Sequence, residues 1–236
     1  MRPVKRSEIQ RDRRDPFSGL ILPRLGKGRY RTLILGDGSE KVAVQTSALA
    51  ASLGLRVLVA DGANSFDPYL VSRFASRKGL SPAELLKKIW VARAFTCHQF
   101  VTLVRERLEP MIYPGNSTLI VLLGPCTLFF DEEVPGPEAA TLLRRTLAQV
   151  REMSRRGVPF LLGQSLSDFH HRREFLLLEL MRVADSILRL EHSPDSLPAS
   201  PWKPAPALVK TGRILSPLQS RVGSPVCGSQ TPLGGT

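Results

Sequence analysis

Cysteine pairs, long apolar runs and signal segments are all missing from this sequence. Its three cysteines, Cys97, Cys126 and Cys227, form no C-x-x-C pair, so neither a disulfide framework nor a structural zinc site is indicated. No apolar run approaches the roughly 20 residues that cross a bilayer. The apolar residues 20–22 are too few for a signal-peptide core. These absences predict a cytoplasmic protein that has no metal site and does not contact a membrane.

Acidic residues are also in short supply. The 236 residues contain 33 lysines and arginines against 21 aspartates and glutamates, which gives a net charge of +12. An excess of this size favours a polyanionic partner, most often nucleic acid, because charge governs association more than it governs fold. The alternative is a generally basic protein whose charge serves only solubility.

The composition changes twice along the chain and predicts three segments. Residues 1–17 form a polar, basic arm that contains Arg11, Arg13 and Arg14. Residues 18–192 carry nearly all the apolar periodicity and predict one globular core domain. Residues 193–236 are rich in proline, serine and glycine, which predicts a disordered tail.

Short apolar runs alternate with helical patterns inside the core domain. The runs at 30–35, 56–60, 89–92, 118–123, 158–162 and 186–190 predict strands. Patterns at 41–52, 69–77, 97–108, 138–156 and 169–183, and a start signal at Ser81, predict helices. Strands that alternate with helices predict an α/β fold with a mostly parallel sheet and helices on both faces. Trp90 is predicted to be a core residue.

The first predicted strand leads into a segment that has the outline of a phosphate-binding loop. The working pattern is G-x-x-x-x-G-K-[ST], placed between a strand and a helix. Here Gly36 is one residue too close to Lys41, and Glu40 and Val42 replace the second glycine and the Mg²⁺-binding hydroxyl. The segment predicts a vestigial nucleotide site, in which the groups that could still contact a nucleotide are Gly36, Gly38, Ser39 and Lys41.

Three later segments occur in an order that is typical of one family: residues 59–68 (VADGANSFDP), 79–82 (GLSP) and 91–99 (VARAFTCHQ). In archaeal and eukaryotic recombinases a strand ends in D-T-E-G-T-F-x-P, a G-L stretch follows, and a later strand ends in A-R-A-F or A-R-A-Y with H-Q nearby. The chain therefore resembles the RecA/RadA-type recombinase family over roughly residues 18–191, and it resembles the accessory paralogues of recombinases more than the recombinases themselves. The resemblance implies a RecA-like P-loop NTPase fold.

Two departures from the family pattern concern catalysis. The resemblance places Ala63 where the family has the glutamate that polarises the attacking water. It places Gly124, or a residue next to it, where the family has the aspartate on the Mg²⁺ side. Positioning and electrostatics supply nearly all the catalysis of phosphoryl transfer, so we expect no catalytic residue and no cofactor. Binding of ATP and Mg²⁺ without hydrolysis stays open.

The resemblance also implies sites for nucleotide sensing and for DNA. Gln164 ends a strand where recombinases have a nucleotide-sensing glutamine, although a polar strand end is an equal alternative. The family's second DNA loop matches the segment that contains Phe169, His170, His171, Arg172 and Arg173, which offers cations and one ring for stacking. A solvated first turn of the next helix is the alternative. A metal at the two histidines is not expected, because adjacent histidines on a helix point apart.

Together these features predict a catalytically degenerate RecA-like protein that acts as a DNA-binding accessory factor in recombination or repair. The expected ligand is DNA, single-stranded in the first place, held by the basic arm and the segment 169–173. A recombinase or a DNA polymerase is the expected protein partner, contacted through the sheet edge or the acidic loop 129–136. Two alternatives remain: an ATP-binding RecA-like ATPase with a non-standard nucleotide site, and a non-catalytic protein-interaction scaffold.

Overall fold

The computed structural model describes residues 30–112, 117–167, 173–190 and 208–211. They form a seven-stranded sheet in the order β3-β2-β4-β5-β1-β6-β7. The strands are β1 (Arg31–Leu35), β2 (Arg56–Asp61), β3 (Ile89–Arg93), β4 (Thr118–Leu123), β5 (Phe160–Gln164), β6 (Ser186–Leu190) and β7 (Leu208–Thr211). The first six are parallel to one another and β7 is antiparallel to β6. The predicted α/β fold with a mostly parallel sheet is confirmed.

The described residues also form six α-helices. They are α1 (Ser39–Ser52), α2 (Pro68–Arg77), α3 (Pro82–Leu86), α4 (Cys97–Thr102), α5 (Gly136–Arg155) and α6 (Glu174–Val183). A π-helical turn (Leu103–Arg107) continues α4, and a 3₁₀ turn (Thr127–Phe129) follows β4. No helix in the described part of the chain is long and apolar enough to cross a membrane.

The central strands are buried on both faces, as helices on both sides of a parallel sheet require. All six residues of β4 are buried. Ile120 and Leu122 pack towards the helices α4, α5 and α6, whereas Leu119, Val121 and Leu123 pack towards α1, α2 and α3. Alternate residues of each strand face opposite sides of the sheet, and both sides are apolar. These strands therefore appear in the sequence as continuous apolar runs.

Two sequence predictions are corrected by the sheet. Trp90 is not a core residue, because β3 is an edge strand and four of its five residues are exposed. Within the segment predicted to be a disordered tail, residues 208–211 instead form β7 and pair with β6. The other residues of that segment, and the arm at residues 1–17, lie outside the described residues.

The sheet has a topological switch point between β1 and β5. These strands are neighbours, with Leu35 opposite Gln164. The helix that follows β1 packs on one face of the sheet, and the helix that follows β5 packs on the other. In open α/β sheets the crevice at the carboxyl ends of such a strand pair is the usual place for a ligand, which makes this crevice the candidate site.

Candidate functional site

A tight turn of three residues joins β1 to α1 at this crevice. The Ser39 amide donates to the Gly36 carbonyl at 3.1 Å, and the Val42 amide donates to the Gly38 carbonyl at 3.1 Å and opens the helix. Gly36 has φ 117°, and a Cβ atom there would lie 2.6 Å from the Leu190 carbonyl oxygen at the end of β6. Packing against β6 therefore requires glycine at this position, whether or not a ligand binds.

The four predicted nucleotide-contacting residues are brought together in this turn, but a fifth residue changes its charge. Glu40 is buried, and its carboxylate accepts hydrogen bonds from the Ser39 hydroxyl at 3.0 Å and from the Ser165 amide at 2.7 Å. The first turn of a helix attracts anions through its free amides and its dipole. The Glu40 carboxylate thus adds a negative charge of the protein itself beside a helix N-terminus that would otherwise attract a phosphate.

A second carboxylate lies at the same edge. The Ser165 hydroxyl donates to Asp37 at 3.1 Å and lies 2.8 Å from the Ser167 hydroxyl. The turn therefore presents the carboxylates of Asp37 and Glu40 beside the single exposed ammonium of Lys41. This balance of charge disfavours a triphosphate, because like charges a few ångströms apart repel one another in a partly buried site.

The two positions that resemblance assigns to catalytic carboxylates touch each other. A Cβ atom on Gly124 would lie 2.4 Å from the Ala63 Cβ and 2.5 Å from the Thr127 hydroxyl oxygen. Gly124 also has φ 58°, which disfavours any residue with a side chain. Packing is also tight at the neighbouring Gly62, where a Cβ atom would lie 3.1 Å from the Phe100 ring. We call this contact the Ala63–Gly124 pair, and it leaves no room for a carboxylate on Gly124.

Gln164 is buried at the end of β5, and both its side-chain oxygen and its side-chain nitrogen form hydrogen bonds with neighbouring residues. Its side-chain oxygen accepts from the Cys126 amide at 2.8 Å. Its side-chain nitrogen donates to the Ser165 carbonyl at 2.9 Å and to the Thr127 hydroxyl at 3.3 Å. In this structure the side chain therefore connects the end of β5 to the turn after β4, beside the Ala63–Gly124 pair.

Of the predicted DNA-contacting residues, the structure describes Arg173 alone. Its two terminal guanidinium nitrogens donate to the Phe129 and Val134 carbonyls, each at 2.7 Å. Arg173 thus braces the acidic loop that precedes α5. The remaining candidates lie outside the described residues: Phe169, His170, His171, Arg172, Arg11, Arg13 and Arg14.

Asp61 has a structural function that the sequence analysis did not assign. This carboxylate at the end of β2 is fully buried and accepts from the Ser65 and Phe66 amides, both at 3.0 Å. The Arg93 guanidinium lies 3.4 Å from it. Asp61 therefore fixes the loop before α2 and connects it to the end of β3. The sequence signal that could have identified this function is an aspartate that ends a buried strand and is followed by glycine.

Exposed aromatic residues at β3 are the second feature that sequence reasoning missed. Six large hydrophobic side chains of the described residues are exposed, and three of them, Trp90, Val91 and Phe95, lie on β3 or just after it. The Arg56 guanidinium lies 4.1 Å from the centre of the Trp90 ring. The apolar run at 89–92 predicts a strand, but nothing in it distinguishes an edge strand from a central one.

Two thiols are buried beneath the site. Cys97 and Cys126 are both free and belong to the same apolar cluster. Burial raises the pKa of the Cys97 thiol, and it raises the pKa of the Cys126 thiol strongly. Raised pKa values keep both thiols protonated and unreactive at neutral pH. Among the described residues, no group of three or more potential ligands could hold a metal ion.

No known protein-family model matches the chain. The resemblance to recombinases therefore rests on the residues quoted above.

Proposed function

We propose that this protein is a catalytically inactive RecA-like protein that binds DNA as an accessory factor in recombination or repair. The observation that carries the proposal is the Ala63–Gly124 pair. Positions that the resemblance assigns separately, 61 residues apart in the chain, lie in contact at the carboxyl edge of the sheet. Small residues that pack against each other have taken the place of the two carboxylates.

The RecA-like P-loop NTPase fold is part of this proposal. Its support is the strand, glycine turn and helix of residues 31–52, placed at a switch point between parallel strands. Of the three segments that match the family pattern, residues 59–68 begin on β2 and residues 91–99 begin on β3, and these two strands are neighbours in the sheet.

The charge distribution in the β1–α1 turn supports loss of phosphoryl transfer. Glu40 occupies the helix N-terminus with a buried negative charge, and Val42 is buried and has no hydroxyl to offer Mg²⁺. Phosphoryl transfer depends on cations and amides arranged around three phosphate oxygens. A carboxylate in that arrangement opposes the charge that develops during the reaction.

DNA is the proposed ligand because the chain carries a net charge of +12. The test is fluorescence anisotropy of a labelled single-stranded oligonucleotide, titrated with the whole protein across a salt series. We expect a dissociation constant of about 1 μM or tighter at low salt, which weakens steeply as salt rises because counterions are released. Absence of binding at low salt would remove the proposed function.

An ATP-binding protein is the second candidate, favoured by the exposed Lys41 and by the open space around Gly38, where a Cβ would meet no atom within 4 Å. Isothermal titration with Mg-ATP separates the two candidates. Saturable heat that disappears in Lys41→Ala would support this candidate, and no saturable heat is the result expected for the inactive protein. Groups from a neighbouring subunit would have to complete such a site.

A further inference from the structure

The edge strand β3 presents rings and cations together on the surface. Trp90 is 42% exposed and Phe95, two residues after the strand, is 68% exposed. Within the described part of the chain, no strand pairs with the outer edge of β3. Exposed aromatic residues on a sheet edge are a liability for aggregation unless they serve binding.

The cations of this surface are held in place. The Arg56 guanidinium lies over the Trp90 ring at 4.1 Å and donates to the Met111 carbonyl at 3.0 Å. The Arg93 side chain is 43% exposed and is fixed by Asp61 and by the Phe66 carbonyl, to which it donates at 3.0 Å. A surface whose arginines are already ordered loses less entropy when a ligand binds.

The charge of the segment that contains β3 favours an anionic ligand over a second protein. Residues 67–112 contain eight lysines and arginines against one aspartate and three glutamates, and the aspartate, Asp67, lies 3.6 Å from Arg73. One of those glutamates, Glu84, is already paired with Lys87 at 2.7 Å. Rings interleaved with cations are the pattern that binds unpaired bases, since a base stacks on the ring while the phosphates meet the cations.

We propose that the β3 edge binds single-stranded DNA, with unpaired bases stacked on Trp90 and Phe95 and phosphates near Arg56 and Arg93. This surface is different from the segment 169–173 that the sequence suggested. The inference rests on the proposed function, because it names where the DNA binds. Stacking on rings tolerates any base, so binding here is insensitive to sequence.

The experiment uses the emission of Trp90. The chain contains two tryptophans, Trp90 and Trp202, so Trp202→Phe leaves Trp90 as the only indole. An oligothymidylate is titrated into this variant while emission and anisotropy are both followed. We expect the emission to be quenched in step with the anisotropy, because a stacked base quenches an indole.

Substitutions then test the energetic role of the rings. We expect Trp90→Ala and Phe95→Ala each to weaken binding roughly 5- to 100-fold, and Trp90→Phe to stay within about 3-fold of the parent protein. Leu80→Ala removes another exposed apolar side chain (39% exposed) and serves as the matched control. Thermal melts followed by circular dichroism exclude unfolding as the cause of a loss.

The outcomes separate this inference from the proposed function. Tight binding with unchanged Trp90 emission and unchanged affinity in the alanine variants would place the DNA elsewhere and overturn the inference alone. If Trp90→Ala instead abolishes self-association in light scattering and leaves DNA affinity unchanged, the edge is a protein interface. Absence of any DNA binding by the parent protein would remove both proposals.

Discussion

At the scale of single residues, the Ala63–Gly124 pair leads to the sharpest prediction. Gly124→Ala places a Cβ atom 2.4 Å from Ala63 and forces a side chain onto a residue with φ 58°. Strain in the backbone and overpacking add up to a loss of about 2–4 kcal/mol in the free energy of unfolding. Urea denaturation measures the loss.

Two further variants control this experiment. Gly79 has φ 65° and no atom within 4 Å of an added Cβ, so Gly79→Ala should cost only about 1 kcal/mol, from the backbone alone. The double variant Ala63→Gly, Gly124→Ala should recover part of the loss, because it removes one of the two colliding Cβ atoms. Equal stability of Gly124→Ala and the parent protein would show that the pair is not close-packed.

The sequence could identify the residues of the candidate site better than it could identify their partners. Comparison with the recombinase pattern was enough to single out Glu40, Ala63 and Gln164. It could not show that Glu40 binds the Ser165 amide, because 125 residues separate the two in the chain. Hydrogen bonds of this kind depend on the strand order, which local patterns do not contain.

At the scale of secondary-structure elements, Glu40 connects the start of α1 to the segment after β5. Glu40→Gly restores the glycine of the phosphate-loop pattern but removes the acceptor of the Ser165 amide and of the Ser39 hydroxyl. We expect a loss of about 2–3 kcal/mol, since hydrogen bonds to a charged group are the stronger kind. Hydrogen exchange should then speed up in residues 161–167.

Glu40→Gln is the conservative control for this element. An amide oxygen can still accept the hydrogen bond from the Ser165 amide. We therefore expect Glu40→Gln to lose less than half as much stability as Glu40→Gly and to keep slow hydrogen exchange at residues 161–167. If both variants were as stable as the parent protein, the carboxylate would not anchor α1. Neither variant should bind Mg-ATP, because the turn is still one residue short.

Elements differ in how well the sequence predicts them. The run at 118–123 coincides with β4, because a strand buried on both faces is continuously apolar. β3 was found as a strand, but its position at the sheet edge follows from the strand order. β7 was missed because its sequence lies among proline, serine and glycine residues, and only pairing with β6 defines it.

At the scale of the whole molecule, one sheet holds two apolar clusters and a basic surface. The clusters lie on opposite faces of the same strands, so loss of the helices on one face would expose the apolar residues that these strands present to that face. We therefore expect the described core to unfold as one cooperative unit. Cys97 on α4 and Cys126 after β4 lie in the same apolar cluster, so the reactivity of their thiols measures whether these two elements unfold together.

Alkylation of these two thiols by iodoacetamide at pH 8 is the measurement. Cys227→Ser removes the third thiol, so that only the two buried ones can react. Because burial raises both pKa values, native protein should label slowly, and both cysteines should label at the urea concentration where circular dichroism reports unfolding. Peptide mass spectrometry assigns the label to each cysteine.

A cysteine introduced on the exposed side of α4 serves as the control, because it shows how fast iodoacetamide labels a thiol that is not buried. Thr102 is exposed on the same helix, so Thr102→Cys should label rapidly in the native protein. Labelling of Cys97 well below the unfolding transition, with Cys126 still protected, would mean that α4 opens by itself. Because α4 packs close to the turn that contains Gly124 and Thr127, such local opening would also loosen the Ala63–Gly124 pair. The candidate site would then be able to open while the rest of the core stays folded.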